Sequence, residues 1–226
     1  MKVQSVIQIP ARSGSTRLKH KNIMQVNGLP LIAYTILMAK RLTGVDRVIV
    51  NTDSAEYAEV AKEFGAEVPI LRPAEIAGEK ASLHDTFVFM ENWLKENEQV
   101  KISKHMFMYP TSPFRNLQTI QKYVDTLDEY EGVNVNIRTP LDVHKLCVED
   151  DGLMHYIAKP EKPCAGTWMK SIGTFHAFNG MAKKPHMYFI LTNPYELIDI
   201  DTAEDVRQMQ DVLDHNLYDF GFDLWS

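Results

Sequence analysis

A chain of 226 residues, 45% hydrophobic and 24% charged, is long enough to bury one or two cores, which excludes collagen-like, disordered and disulfide-framework classes. A formal net charge of −6 argues against a protein built mainly to hold nucleic acid, and no apolar run approaches the roughly eighteen residues of a membrane span. Cys147 and Cys164 lack paired-ligand spacing, and MKVQSVIQIP lacks the apolar block and cleavage site of a signal peptide. The expectation is a cytoplasmic protein with free thiols, no membrane contact and no nucleic-acid partner.

Val3 to Ile9 predicts a first strand. Pro30 suits the first turn of a helix over LIAYTILMAKRL, which Gly44 ends. RVIVNT predicts a second strand, Asp53 with Glu56 a capped start for the helix SAEYAEVAKEF, and EVPIL a third strand after Gly65. From Ser82 an amphipathic helix sets Leu83, Phe87, Met90 and Leu94 on one face, and KHMFMYP follows as a buried strand. Asn116 predicts the cap of a helix with Leu117, Ile120, Val124 and Leu127 inward, and VNVNIRT the next strand. From Pro140 to Phe178 the alternation stops. KLCVE and LMHYI flank Asp150-Asp151-Gly152 as a hairpin, an insertion in the sheet fold. YFILTN and ELIDID return to strand character, and Thr202 opens a last helix through Val206, Met209 and Leu213. The fold class is α/β, a Rossmann-like doubly wound and mostly parallel sheet. It forms a single domain over 1–226 with a small inserted subdomain over 140–178.

Two segments carry chemistry. PARSGSTRLKHKN, from Pro10 to Asn22, holds Arg12, Arg17, Lys19 and Lys21 and no acid, at the carboxyl end of the first strand, where open parallel sheets bind ligands. Ser13, Gly14 and Ser15 allow close backbone approach to phosphate, and Arg12 and Lys21 supply positive charge. The loop matches neither GxGxxG nor GxxxxGK[ST]. Asp199 and Asp201, two residues apart on a predicted strand, share a face and are spaced to hold Mg2+. On the residues alone a solvated loop, and a helix cap made by Asp201, explain the two segments as well.

IPARSGSTRLKHKN, NGLPLIAYTI, VIVNTDS, EFGAEVPILRPAEIA, YPTSPFR and IDIDTAEDV, in this order, resemble the acylneuraminate cytidylyltransferase family, which makes CMP-sialic acid and related CMP-activated nonulosonic acids. The resemblance covers nearly the whole chain outside the insertion. It implies that Ala11, Arg12, Ser13, Gly14, Lys21 and Asn22 contact the nucleotide and that Arg72, Ala81 and Ser82 enclose its cytosine and ribose. It further implies that Asp199 and Asp201 hold Mg2+, and that the inserted segment packs in a homodimer interface. The substrates so implied are CTP and a small acidic sugar. CMP would pass to the anomeric hydroxyl of a 2-keto sugar acid, sialic or related nonulosonic, with release of pyrophosphate and with Arg12, Lys21 and Asp201 catalytic. Two departures fall on the sugar side. Tyr109 stands where many members have glutamine, and WMKSIGTF, with Lys170 its nearest cation, replaces an RPNG-type segment; Tyr109, Ser112 and Lys170 are the residues expected there. The alternatives are a nucleotidyltransferase with another base or a sugar-phosphate acceptor, and a non-catalytic nucleotide- or sugar-binding module.

Overall fold

A computed structural model describes residues 1–78, 82–138, 146–150, 153–157 and 167–225. Strand β1 (Lys2–Pro10) alternates its side chains between two helical layers. Ile7 and Ile9 pack with α1 (Leu31–Arg41), α2 (Ala55–Glu63) and α4 (Leu117–Thr126), while Val6 packs with α3 (Leu83–Asn97). Between β1 and α1 a two-residue hairpin, β2 (Gln25–Val26) with β3 (Leu29–Pro30), turns at Asn27 and Gly28. Both have positive φ, 48° and 79°, as a tight primed turn requires.

The sheet continues with β4 (Arg47–Asn51), β5 (Val100–Phe107), β6 (Gly132–Arg138), the hairpin strands β7 (Leu146–Asp150) and β8 (Leu153–Ile157), β9 (Thr167–Asn179) and β10 (Met187–Ile190). Its order is β10-β6-β9-β5-β1-β4. β1 runs parallel to β4 and β5, β10 runs parallel to β6, and β9 lies antiparallel between β5 and β6. With helices on both faces this is the expected Rossmann-like, mostly parallel α/β architecture. α5 (Ala203–Asp214) forms an outer layer, setting Met209 and Val212 against Leu31 and Tyr34 of α1. The aromatic tail closes over the same cluster through Phe220 and Leu224, and the Phe220 C=O accepts from the Leu117 N–H.

Caps fall largely where the residue types place them. Asn116 Oδ1 accepts from the N–H groups of Gln118 and Thr119, Ser82 accepts from Asp85, and Thr202 forms a reciprocal capping box with Asp205. Three expectations are corrected. EVPIL forms one bridge, Ile49 with Glu67, because Pro69 has no N–H to continue a ladder. ELIDID is not a strand: Pro194 starts a 3-10 turn over Tyr195–Leu197, and the extended segment after it makes one cross-link, Ile200 N–H to the Thr111 C=O at 2.7 Å. The cap of α2 is Ser54 rather than Asp53.

The predicted hairpin is present as β7 with β8, its turn at 151–152 and the segments 139–145 and 158–166 lying outside the described residues. The expected end of the insertion at Phe178 falls inside β9. That strand carries hairpin pairing near Thr167, while Phe175 and Ala177, nearer its other end, are fully buried in the central core.

Candidate active site

Past Pro10 the chain crosses the carboxyl edge of the sheet. Ala11 is buried and its N–H donates to the Asn51 C=O at 2.9 Å. The loop ends at His20, whose φ of 54° turns the backbone into a 3-10 turn over Lys21–Ile23. That turn folds Asn22 back under the loop, where its Nδ2 donates to the Arg12 C=O at 3.1 Å. It also sends Lys21 Nζ to Asp201 Oδ1 at 2.7 Å, while Arg17 pairs with the other oxygen of the same carboxylate. Lys21 is mostly buried and the Arg17 side chain is 66% exposed, so the two cations meet the same carboxylate from the interior and from solvent. Burial works against ionisation of Asp201, and the hydrogen bonds and charges of Lys21 and Arg17 outweigh it, holding the carboxyl below the usual carboxylate range.

The facing wall comes from the chain after α2. The Arg72 N–H donates to the Thr52 C=O at 2.7 Å, and its side chain, nearly fully buried, donates from Nη1 to Thr86 Oγ1 at 3.0 Å. Its Nε and Nη2 have no hydrogen-bond partner, Nη2 standing 3.8 Å from Asp53 Oδ1. Burial lowers the affinity of this guanidinium for its proton, Asp53 raises it, and the charge of Arg12 lowers it again. Buried donors without partners beside a cleft are a ready hydrogen-bonding edge for a polar ligand.

Between these walls lies a cleft of about 350 Å³. Arg12, Arg17, Lys21, Asn22 and Asp201 line one side, Arg72, Leu83 and Thr86 another, and Tyr109 to Thr111 the end. The Tyr109 end is held differently. Its N–H donates to the Gly173 C=O at 3.3 Å and its C=O accepts from the wholly buried Arg115 at 2.7 Å, which also donates to the Thr174 C=O at 2.8 Å and Thr35 Oγ1 at 3.0 Å. The Tyr109 ring lies so close over Gly173 that a Cβ there would meet it at 2.9 Å; only glycine fits. Its edge meets His176, whose ring centroid is 6.2 Å away. Burial lifts the Tyr109 hydroxyl to about 12 and pushes the His176 imidazole, hydrogen-bonded to Asn134 at 3.0 Å, down to about 4.

Arg12, Lys21, Asn22, Arg72, Tyr109 and Asp201 are thus brought to one cleft, as expected. Ala11, Ser13, Gly14, Ser82, Ser112 and Asp199 are not among its lining residues. Both Ser13 donors go to Asp53, the N–H to Oδ1 at 2.8 Å and Oγ to Oδ2 at 2.7 Å, so this serine anchors the loop instead of reaching into the cleft. Ser82 caps α3, and Ser112 is buried in the turn behind Tyr109. Ala81 lies outside the described residues, and Lys170 is placed by its backbone, opposite Ile137 on β9. Arg17 and Thr86 line the cleft and Asp53 stands behind it, three residues that the sequence did not mark as site candidates. Arg17 belongs to the basic run, but no spacing distinguishes the cation that reaches Asp201.

For a divalent ion, the segment after Leu197 alternates buried Ile198 and Ile200 with outward Asp199 and Asp201, and Thr202 rather than Asp201 caps α5. Among the described residues no group of three or more His, Cys, Asp or Glu forms a cage. One or two carboxylates completed by phosphate and water is the usual magnesium pattern; of this pair only Asp201 lines the cleft, with Lys21 on one of its oxygens and Arg17 on the other.

The sequence profile of the Cytidylyltransferase family matches residues 6–149. N-acylneuraminate cytidylyltransferase of Escherichia coli O18:K1:H7 is 36% identical over 137 residues, 59% of this chain and 31% of that protein. CMP-N,N'-diacetyllegionaminic acid synthase of Legionella pneumophila is 32% identical over 153 residues, 68% of this chain and 65% of that one. The matched part spans less than two thirds of either relative. The fold is that of CMP:2-keto-3-deoxy-manno-octonic acid synthetase, solved in complex with CTP, with a TM-score of 0.68 at 16% identity over 96% of this chain and all of the other. With a basic loop and a distant aspartate closed on one cleft, and with most of the chain inside the family profile, this protein belongs to the cytidylyltransferase family.

Proposed function

We propose that this protein transfers CMP from CTP to the anomeric hydroxyl of a 2-keto sugar acid, a sialic acid or related nonulosonic acid, and releases pyrophosphate. The observation that carries the reading is the meeting of Lys21 and Arg17 with Asp201, across some 180 residues of sequence, in a cleft whose other wall is Arg72 with unpartnered donors. The likeness to an N-acylneuraminate cytidylyltransferase and a CMP-diacetyllegionaminic acid synthase supports the acceptor class. Arg12, Arg17 and Lys21 bind the phosphates and neutralise the charge that grows on the leaving pyrophosphate, Arg72 offers its free N–H groups to the base, and Tyr109 closes the acceptor end. Asp201, with Asp199, would hold Mg2+, which supplies further charge neutralisation when bound. The hairpin β7–β8, off the main path of the sheet, is the part we assign to contact with a second copy in a homodimer.

Measuring pyrophosphate release from each of the four nucleoside triphosphates, with Mg2+ and with nine-carbon and eight-carbon 2-keto sugar acids in turn, tests the reading. The expected result is turnover with CTP and a nine-carbon acid only. Turnover with another triphosphate or with the eight-carbon acid overturns the substrate assignment, and CTP binding without release in every combination overturns the enzymatic one.

A further inference from the structure

The last residue of β4, Asn51, and the two that follow it, Thr52 and Asp53, each hold a different segment of the chain around the cleft. The Asn51 C=O takes the Ala11 N–H at 2.9 Å, and the Thr52 C=O takes the Arg72 N–H at 2.7 Å. The Asp53 carboxylate spends one oxygen on the Ser13 N–H at 2.8 Å and the other on the Ser13 hydroxyl at 2.7 Å, and the first of these faces Arg72 Nη2 at 3.8 Å. The obvious structural task for an aspartate here, capping α2, is already performed by Ser54, which accepts from the Tyr57 N–H at 3.3 Å. Arg12 and Arg72 line the same cleft and repel each other across it, and Asp53 is the acid that answers Arg72 while tying down the residue next to Arg12. It sits behind the wall and is not among the residues that line the cleft.

We propose that Asp53 is a positioning residue of the nucleotide site: through Ser13 it sets the path of the basic loop, and through Arg72 it sets the opposite wall, so that the phosphate-binding and base-binding ends keep one spacing. The proposal rests on the reading of the cleft as a CTP site. A two-point carboxylate grip on an amide and a hydroxyl is strong and directional, and it fixes the loop in a way a single bond would not. Burial opposes its charge, yet the Ser13 hydroxyl and amide, its own N–H and Arg72 keep the carboxyl below its ordinary range, so it stays anionic at neutral pH.

The test compares full-length wild type, Asp53→Asn, Ser13→Ala and the double variant by calorimetric CTP binding and by steady-state kinetics. Asp53→Asn is expected to weaken CTP about tenfold while moving the KM for the acceptor less than twofold. Ser13→Ala is expected to cost about threefold. The double should fall within about twofold of Asp53→Asn, because the Ser13 hydroxyl acts through that carboxylate. Unchanged CTP affinity in Asp53→Asn, effects that multiply, or equal rises in both KM values as general loosening would give, each overturn the proposal. Should Asp53→Asn not fold, Asp53→Glu replaces it: the longer arm keeps the charge and displaces the two-point grip, so weaker CTP binding is expected and unchanged binding overturns. A wild type that binds no CTP defeats the cytidylyl reading itself, whereas normal wild-type binding with an indifferent Asp53→Asn defeats only the positioning role.

Discussion

At the basic end of the cleft, residues far apart in the chain are tied by charge: Arg17 and Lys21 to Asp201, Arg72 and Ser13 to Asp53. At the Tyr109 end the ties are main-chain carbonyls gathered by a buried guanidinium, and a ring laid on a glycine. The ties to Asp201 are partly open to water, so their partners can exchange for a bound anion, whereas Asp53 holds Ser13 and Arg72 behind the wall. The Tyr109 end is dry and cannot yield without orphaning backbone groups. For the cytidylyl transfer proposed above, which grips and releases a polyanion and also measures the shape of a second substrate, both kinds of tie have a use.

Three substitutions break or sharpen this contrast. Lys21→Ala removes the mostly buried cation from the exchangeable end, and turnover in a pyrophosphate-release assay should fall roughly a hundredfold or more, with little loss of fold; near-normal turnover would mean that the basic end does not carry the chemistry. Arg115→Met should act the opposite way, costing about 3 kcal/mol in urea unfolding because the carbonyls of Tyr109 and Thr174 and the Thr35 hydroxyl lose their donor. A loss below about 1 kcal/mol would show that the Tyr109 end is not held by that residue.

The third and smallest effect is a pH dependence at the dry end. In the unfolded chain His176 takes its proton near pH 6.5, and in the folded protein, where burial opposes the charge against a weaker opposite pull from the Ile172 backbone, not until about pH 4. Between these values the unfolded chain binds more protons, so stability rises with pH, and about 2 kcal/mol is lost between pH 7 and pH 5. His176→Gln should flatten that slope in thermal or urea unfolding, and an unchanged slope would place its origin elsewhere.

Much of the fold was legible because its signals are local. Val3 to Ile9 alternates toward two layers, Asn116 and Ser82 announce their helices, and an acid-free run after a first strand marks the ligand edge of a parallel sheet. What escaped depends on partners distant in sequence. Asp53 and Ser54 are both good caps, and only the position of Ser13 across the sheet edge decides which one caps. ELIDID has strand composition but no neighbouring edge to pair with beyond Thr111. Gly173 is an ordinary glycine until Tyr109 is placed upon it. The expected bound of the insertion at Phe178 is another case: β9 runs unbroken from its pairing with β7 into the central sheet, and only those partners show it.

That strand has a consequence for how the molecule assembles. β9 is made after β6 yet lies between β5 and β6, so in the strand order it alone joins the pair β10-β6 to the block β5-β1-β4. A nascent chain that has not yet reached Thr167 therefore presents two raw sheet margins to the cell, one on β5 and one on β6. Closure waits for a late, long-range event that places β9 in the middle, a topology that slows folding and exposes sticky backbone while it lasts.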